Sequence, residues 1–554
     1  MAIIGAALFV LLNLSSAHMA RHIAGGPAGP LGAARNALTA RLSQCFVVAG
    51  TCLVLGVVDR LAWQLAFDGF STVNVGLALG AAAVALRAAA PAMATGGQSA
   101  PPWLRSTGSV LLQALGYLLS ALLLVWWTAL VMKVVFGAVF PITGIGASPG
   151  GRALTQPDFG AGWLQLLLVM LPVAAYALCT GRNVQFLNLS SLHTFYAARL
   201  TRAYLGAANG RRFSMNTSAL DPIDGALRTD TPDHSVGEVH PDDDTPLQQY
   251  APHRAGGPVH LINTCVNQSA AARGRLFNRD RKGLPLCVMA GGASQLGQEG
   301  WKRMPGIGTM SLGSWLAISG AAVAPGLGAR TQRGLSALLT FAGVRLGYWL
   351  TREARDHEAT PRPWWRPRLD KSAGLLAETA GTFEAAGKND WLVSDGGHFE
   401  NTAAYALLAA RAQFILVADC GADPDYAFAD LENLVRKARI DLDTRIVFHK
   451  PVTKPSVWAR TLSFFGSLNE LASPHGCACL SLATVHYPAL PGGAAPPPAV
   501  LIVIKPNMCA GLPMDVENYR QQCPAFPQSR PATSSSAKRS GKATFRWAAF
   551  WLTS

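Results

Sequence analysis

Five apolar runs precede residue 182, and they constrain the fold more than any other feature of the chain. They cover residues 2–17, 46–65, 73–93, 110–131 with a largely apolar extension to 140, and 163–180. A helix needs about 20 mostly apolar residues to cross the hydrocarbon of a bilayer. The fourth and fifth runs meet that length. The second is interrupted by Asp59 and Arg60, and the third contains Arg87. The first is short, and it lacks the basic segment that opens a signal sequence. The sequence therefore predicts a membrane region over 1–181, with two transmembrane helices and up to five if the interrupted runs also span.

The loops can be read for orientation, because basic residues favour the cytoplasmic side. Arg21, Arg35 and Arg41 fill the first loop, and Asp59, Arg60 and Asp68 the second. Arg87 and Arg105 follow, then Arg152 against Asp158, then Arg182, Arg199, Arg202, Arg211 and Arg212. The alternation predicts an integral membrane protein whose soluble part is cytoplasmic. Basic residues beside spans also account for much of the formal charge of +15. No basic face with interleaved aromatics appears, so the expected partner is membrane lipid and not nucleic acid.

Ten cysteines are scattered along the chain. Cys477 and Cys479 form a lone C-x-C with no second pair at zinc spacing. No metal, no cofactor and no disulfide framework is expected, which suits a reducing compartment.

Beyond residue 182 the pattern changes. In "NVQFLNLSSLHTFYAARLTRAYLG", Ser190 or Ser191 can cap a helix with Phe195, Leu200 and Tyr204 on one side. Residues 219–257, with "HPDDDTP", read as a mobile insertion. "FILVAD", "RIVFHK" and "VLIVIKP" read as buried strands, with "ENTAAYALLAARA" and "ADLENLVRKARIDL" as amphipathic helices between them. The class predicted is α/β with a mainly parallel sheet.

One stretch carries chemistry. "WLVSDGG" reads as a strand, then Asp395, then a turn through Gly396 and Gly397. Glycines there admit unusual backbone conformations and close approach of another segment. Glu400 and Asn401 can cap the helix that follows. Taken alone, D-G-G is simply a turn. It stands, however, with "SSLHTFYAARLTRAYLG", "HLINTCVNQ" and "NRDRKGLPLCV", "SLGSWLAISGAAVAPGLG" and "GVRLGYWL", and "VSDGGHFENTAAYALL" and "RKARIDL". In combination, over about residues 188–450, these segments resemble the C-terminal part of bacterial patatin-like phospholipases. The resemblance is to large membrane-associated members related to the cytosolic phospholipases.

That resemblance implies a partial patatin-like α/β domain over 182–515 and a bacterial inner-membrane location. It implies lipid acyl hydrolysis by a Ser-Asp dyad with no cofactor, in which a G-x-S-x-G serine attacks the ester. Asp395 matches the dyad aspartate, and His398 matches no base. The family's G-G-G-x-R oxyanion loop occurs nowhere in this sequence. Ser148 lies in a G-x-S-x-G at 146–150, but Pro149 follows it and a short loop between two apolar runs surrounds it. A nucleophile elbow needs a strand before and a helix after. Ser319 in "LAISGAAVAPG" is the substitute, either a nucleophile or a cleft residue, with Gly320 shaping the site beside it.

Residues 516–554 are expected to be disordered, and from Ser529 the chain is rich in Ser, Lys and Arg. Back-translated with GC-rich codons and shifted in frame, that tail yields a stretch resembling the family's usual ending. A frameshifted gene and a separately encoded N-terminal half are the matching expectations. Two readings follow: the aspartate-bearing half of a patatin-like hydrolase, or a catalytically inactive membrane-anchored pseudoenzyme serving as an interaction subunit.

Overall fold

The computed structural model describes residues 30–67, 73–83, 102–136, 159–206, 209, 241–269, 282–304, 306–351, 369–385, 390–451, 462–473, 476, 478–508, 512–523 and 526–528. It is a mixed chain of helix and sheet. Two compact units divide it, residues 1–84 with 117–176, and residues 85–116 with 177–554.

The first unit is helical. Two stretches are long and apolar enough to cross a membrane by length and composition, Val48–Phe67 in this unit with mean hydropathy 1.3 and Leu112–Val135, most of it in this unit, with 2.1. Leu53, Val54, Leu55 and Val57 on the first, and Leu118, Leu122, Leu124 and Trp127 on the second, point outward. Such all-round apolarity suits hydrocarbon. Ala62, Ala66 and Ala129 are buried together, and small side chains of this kind let two helices approach closely. The five-span expectation is not supported. Asp59 and Arg60 do not break the second run, which stays helical within Pro30–Phe67. The third run appears as the shorter apolar helix Val73–Ala83, and the fifth is helical over Phe159–Thr180, with Leu166–Thr180 as its shorter apolar stretch. The first run lies outside the described residues.

The second unit holds two sheets. The first has the order β4-β3-β2-β1-β6-β5, with β1 Leu261–Asn267, β2 Gly283–Met289, β3 Ala293–Leu296, β4 Lys302–Arg303, β5 Tyr348–Thr351 and β6 Asp390–Asp395. Every pairing in it is antiparallel. The second has the order β7-β10-β9-β8, with β7 Phe414–Ala418, β8 Arg445–His449, β9 Leu480–His486 and β10 Ala499–Ile504. Only β7 and β10 run parallel; β9 is antiparallel to both β10 and β8. The expected mainly parallel sheet is therefore corrected. The apolar runs misled because Phe414 and Leu416 of β7 are exposed while Ile415 and Val417 are buried. One covered face and one open face is the habit of antiparallel sheets.

Helix Leu312–Ser319 packs Trp315 and Ile318 against Ile262, Val266, Leu286, Trp391 and Val393 of the first sheet. Its start is fixed twice over. Ser311 Oγ accepts from Ser314 N at 3.1 Å, and Asp244 Oδ1 accepts from Gly313 N at 2.9 Å. The acidic run expected to be mobile thus caps a core helix, and Asp243 is buried. Helix His193–Leu200 turns Tyr196 toward Gly320 and leaves Phe195 exposed, as is Tyr204 in the turn Thr201–Leu205 that follows. Helix Ala429–Leu442 lays Leu431, Leu434 and Ala438 on Ile415, Val417, Leu501 and Val503 of the second sheet.

Two buried ion pairs tie segments distant in sequence. Lys505, just past β10, donates to Asp419 Oδ2 at 2.9 Å and pairs with Asp423 at 3.2 Å, both just past β7. Arg345 pairs with Glu378 and donates to Ser190 O at 3.2 Å and to Ser190 Oγ at 2.6 Å. Trp349 Nε1 donates to the other Glu378 oxygen at 2.8 Å. Chain expected to be disordered from residue 516 is packed as far as Gln528. Val516, Tyr519 and Phe526 form a cluster with Met508 and Leu512, and Gln528 Nε2 donates to Pro506 O at 2.7 Å. Residues 529–554, the Ser-rich part, lie outside the described residues.

Removing one partner of a buried pair strands the other charge, which costs about 3–5 kcal/mol. Glu378→Ala should destabilise the second unit by about that amount, read from urea unfolding of the micelle-solubilised protein by near-UV circular dichroism. An unchanged midpoint would show that Arg345 finds water instead.

Candidate functional site

Asp395 closes β6, as the sequence predicted. The register pairs Thr264 with Asp395 and Cys265 with Ser394, so the D-G-G turn leaves the sheet beside Asn263 of β1. Asp395 Oδ1 accepts from Gly397 N at 2.7 Å. The second oxygen, Oδ2, makes no hydrogen bond among the described residues. The carboxyl is half-buried, and burial raises its pKa above the ordinary aspartate range, with the Gly397 hydrogen bond opposing.

The glycines of the turn serve close approach and not unusual dihedrals, since neither has a left-handed φ. A Cβ at Gly396 would stand 2.6 Å from Asn263 O, and one at Gly397 would stand 2.5 Å from Asn401 Oδ1. Gly320 is similar, because a Cβ there would lie 2.7 Å from the Tyr196 hydroxyl.

Ser319 comes to the same place from the other side. Its Oγ donates to Asn263 O at 2.8 Å, the carbonyl that Gly396 abuts. Asn263 thus stands between Ser319 and the turn that carries Asp395. No hydrogen bond joins Ser319 to Asp395 among the described residues. Ser319 is also the last residue of its helix, where carbonyls and not N–H groups are exposed. The neighbouring Gly320 O is taken by the Tyr196 hydroxyl at 3.0 Å. Backbone acceptors around a serine repel the negative charge that an attacked carbonyl develops. The setting of Ser319 thus offers acceptors rather than the donors that a nucleophilic serine would need beside it. Ser148 lies outside the described residues.

His398 is committed to structure. Its Nε2 lies 3.2 Å from Ala322 O, which can only accept, so Nε2 carries the proton. Nδ1 must then accept from Ser394 Oγ at 2.8 Å. Burial lowers its pKa to about 4, so the ring is neutral at physiological pH. Ser394 Oγ in turn accepts from Asn267 Nδ2 at 2.9 Å, and Asn267 Oδ1 accepts from Gly328 N at 2.9 Å. Glu400 caps as expected, its oxygens accepting from Thr402 N at 2.6 Å and Tyr405 N at 3.3 Å. Asn401 instead donates to Asp430 Oδ2 at 2.7 Å.

The sequence reading did not single out Tyr196, Asn263 or Asn267. Burial, and then the charge of Asp395, raise the Tyr196 pKa, so the phenol belongs to the neighbourhood of the carboxylate. All three residues sit inside quoted segments, but what they touch becomes visible only in the fold, through the position of β1 for Asn263 and Asn267 and through the helix His193–Leu200 for Tyr196. A polar cavity of about 260 Å³ adjoins Gly397 and His398, and neither Asp395 nor Ser319 lines it. Among the described residues no three His, Cys, Asp or Glu side chains gather as metal ligands. Cys479 is buried and forms no disulfide among the described residues, and Cys477 lies outside them. No family model, no curated protein and no solved structure matches the chain.

A carboxyl whose pKa is raised by folding stabilises the fold in its protonated form. That contribution is complete below the unfolded value near 3.8 and is lost as pH rises through the folded value. At pH 7 the ionised Asp395 therefore works against folding. Asp395→Asn, which keeps an acceptor for Gly397 N, should raise the thermal midpoint at pH 7 and narrow the gap toward pH 3. A lower midpoint at pH 7 would mean that the charge is stabilised by contacts outside the described residues.

Proposed function

We propose that this chain is the membrane-anchored, aspartate-bearing part of a patatin-like lipid acyl hydrolase, with Asp395 as the base of a Ser-Asp dyad. The observation that carries the reading is the state of Asp395. One oxygen is fixed by the turn, the other is free of hydrogen bonds among the described residues, and burial makes the carboxylate more basic. A general base needs that combination of fixed direction and raised proton affinity. In the proposed reaction Asp395 Oδ2 takes the hydroxyl proton as the serine oxygen attacks the acyl carbon. The departing alcohol then receives that proton, and water hydrolyses the acyl-enzyme.

The serine is the open position in this scheme. Ser319 lies across Asn263 from the turn that carries Asp395, but its hydroxyl is committed to Asn263 O and its surroundings are acceptors. The reading therefore takes the nucleophile and oxyanion loop from a separately encoded half, with membrane lipid as substrate. By the resemblance it places the protein in a bacterial inner membrane, and the charge of its loops puts the soluble unit on the cytoplasmic side. The same setting of Ser319 favours a second reading, a membrane-anchored pseudoenzyme that acts by interaction.

The chain alone, expressed in membranes, should neither label with a fluorophosphonate nor hydrolyse acyl esters measurably. Loss of one oxyanion donor already costs about 10²–10³ in rate. Supplying a fragment with a G-x-S-G-G serine in trans should restore labelling on that fragment. Asp395→Asn should then lower turnover by about 10²–10⁴. Labelling of the chain itself, lost in Ser319→Ala, would make Ser319 the nucleophile. Silence under every combination would leave the pseudoenzyme reading standing.

A further inference from the structure

The cavity beside the D-G-G turn holds charge for which the hydrolase reading has no use. It lies between the short helical turn Gly328–Arg330, the turn Gly396–His398 and helix Ala429–Leu442. Arg330, Arg436 and Lys437 line it, against the carboxylates of Asp430 and Glu432. One of those carboxylates is already engaged, since Asp430 Oδ2 accepts from Asn401. Arg436 has one nitrogen directed to Asn433 Oδ1 at 3.0 Å.

Lys437 is the informative residue. Only 8% of it is exposed. Its Nζ stands 3.5 Å from the centroid of the Phe399 ring and makes no hydrogen bond among the described residues. An ammonium has three donors, and water normally serves all of them. The ring face offsets part of the cost of burial, as cation–π contacts do, but it uses none of the donors. Burial also holds the Lys437 pKa below the ordinary lysine range, and a bound anion would reverse that effect.

We propose that this cavity binds a phosphate group, held by Lys437 together with Arg330 and Arg436. Guanidinium forks and an ammonium suit a tetrahedral oxyanion with several acceptor atoms. The volume of about 260 Å³ admits such a group. The lining offers an acyl chain little beyond Ala329, Ala429 and the Phe399 ring, which argues against a fatty-acid carboxylate. The phosphate comes either from solution or from a phospholipid headgroup. The site stands whether or not the chain hydrolyses anything, because it shares neither Asp395 nor Ser319. It still borders the turn that carries Asp395 through Gly397 and His398, so its occupant sets the charge behind that turn.

The test uses the full chain in detergent micelles and follows the thermal unfolding midpoint. Inorganic phosphate should raise the midpoint saturably, whereas sodium chloride at matched ionic strength should not. Arg330 is exposed, so Arg330→Gln will fold, and it should move half-saturation to about tenfold higher phosphate. Lys437→Met should abolish the response while folding at least as stably without phosphate. If Lys437→Met fails to fold, acetylation by acetic anhydride replaces it. Phosphate should then protect Lys437 while leaving the exposed Lys450 reactive. Short-chain phosphatidate acting where inorganic phosphate does not assigns the site to a headgroup, and the opposite result assigns it to the free ion. An equal response to chloride, no response to either phosphate source, or an unchanged response in Arg330→Gln overturns the proposal.

Discussion

The region around Asp395 depends on one buried amide. Asn267 ends β1, and its side chain bonds two other segments at once, β6 and the turn at Gly328. It donates to Leu392 O at 3.2 Å and to Ser394 Oγ, and it accepts from Gly328 N. Through Ser394 the hydrogen bonds continue to His398 and on to Ala322 O. Each donor meets an acceptor in a consistent direction, because the chain starts at an N–H that can only give and ends at a carbonyl that can only take. A buried polar group left without its partner costs about 1–3 kcal/mol. Any shift of the turn, of β6 or of residues 322–328 would leave several such groups unpaired. The direction of Asp395 is thereby set by groups that have no chemistry of their own.

This dependence explains what the sequence could reveal. The position of Asp395 at a strand end was legible, because an apolar run followed by D-G-G leaves the strand nowhere to continue. Helix Ala429–Leu442 was legible from its period. Strand direction was not, because an apolar run looks the same read either way, and "FILVA" alternates between an exposed and a buried face. "HPDDDTP" read as solvated because its three acids are adjacent. Their use as partners for Gly313 N and Asn209 becomes visible only when the chain folds back. Tyr196 was hidden for the same reason, since its partner Gly320 lies 124 residues away. In the stretch from Val516 to Gln528, charged and polar residues outnumber the apolar ones. Two rings, Tyr519 and Phe526, and aliphatic chains at the right spacing were enough to form a cluster.

The second sheet has a different organisation from the first. Its only parallel pair, β7 with β10, joins strands separated by two others in sequence. The carboxyl ends of that pair are held by Lys505 against Asp419 and Asp423. A buried lysine between two aspartates gives this end of the sheet a fixed spacing. Desolvating the charges is tolerable only with both strands in place.

That arrangement sets an order of events during synthesis. β1 to β6 are complete once residue 395 has left the ribosome, so the sheet carrying Asp395 can close early. β10 lies between β7 and β9, so the second sheet lacks an interior strand until residue 504 has emerged. For the time taken to translate the intervening stretch, β7 presents an unpaired edge and Asp419 and Asp423 face each other without a cation. An open apolar edge is a site for holding factors or for mispairing with a neighbouring chain. The two sheets of this protein thus differ in age as well as in direction, and the younger one is the more exposed to error.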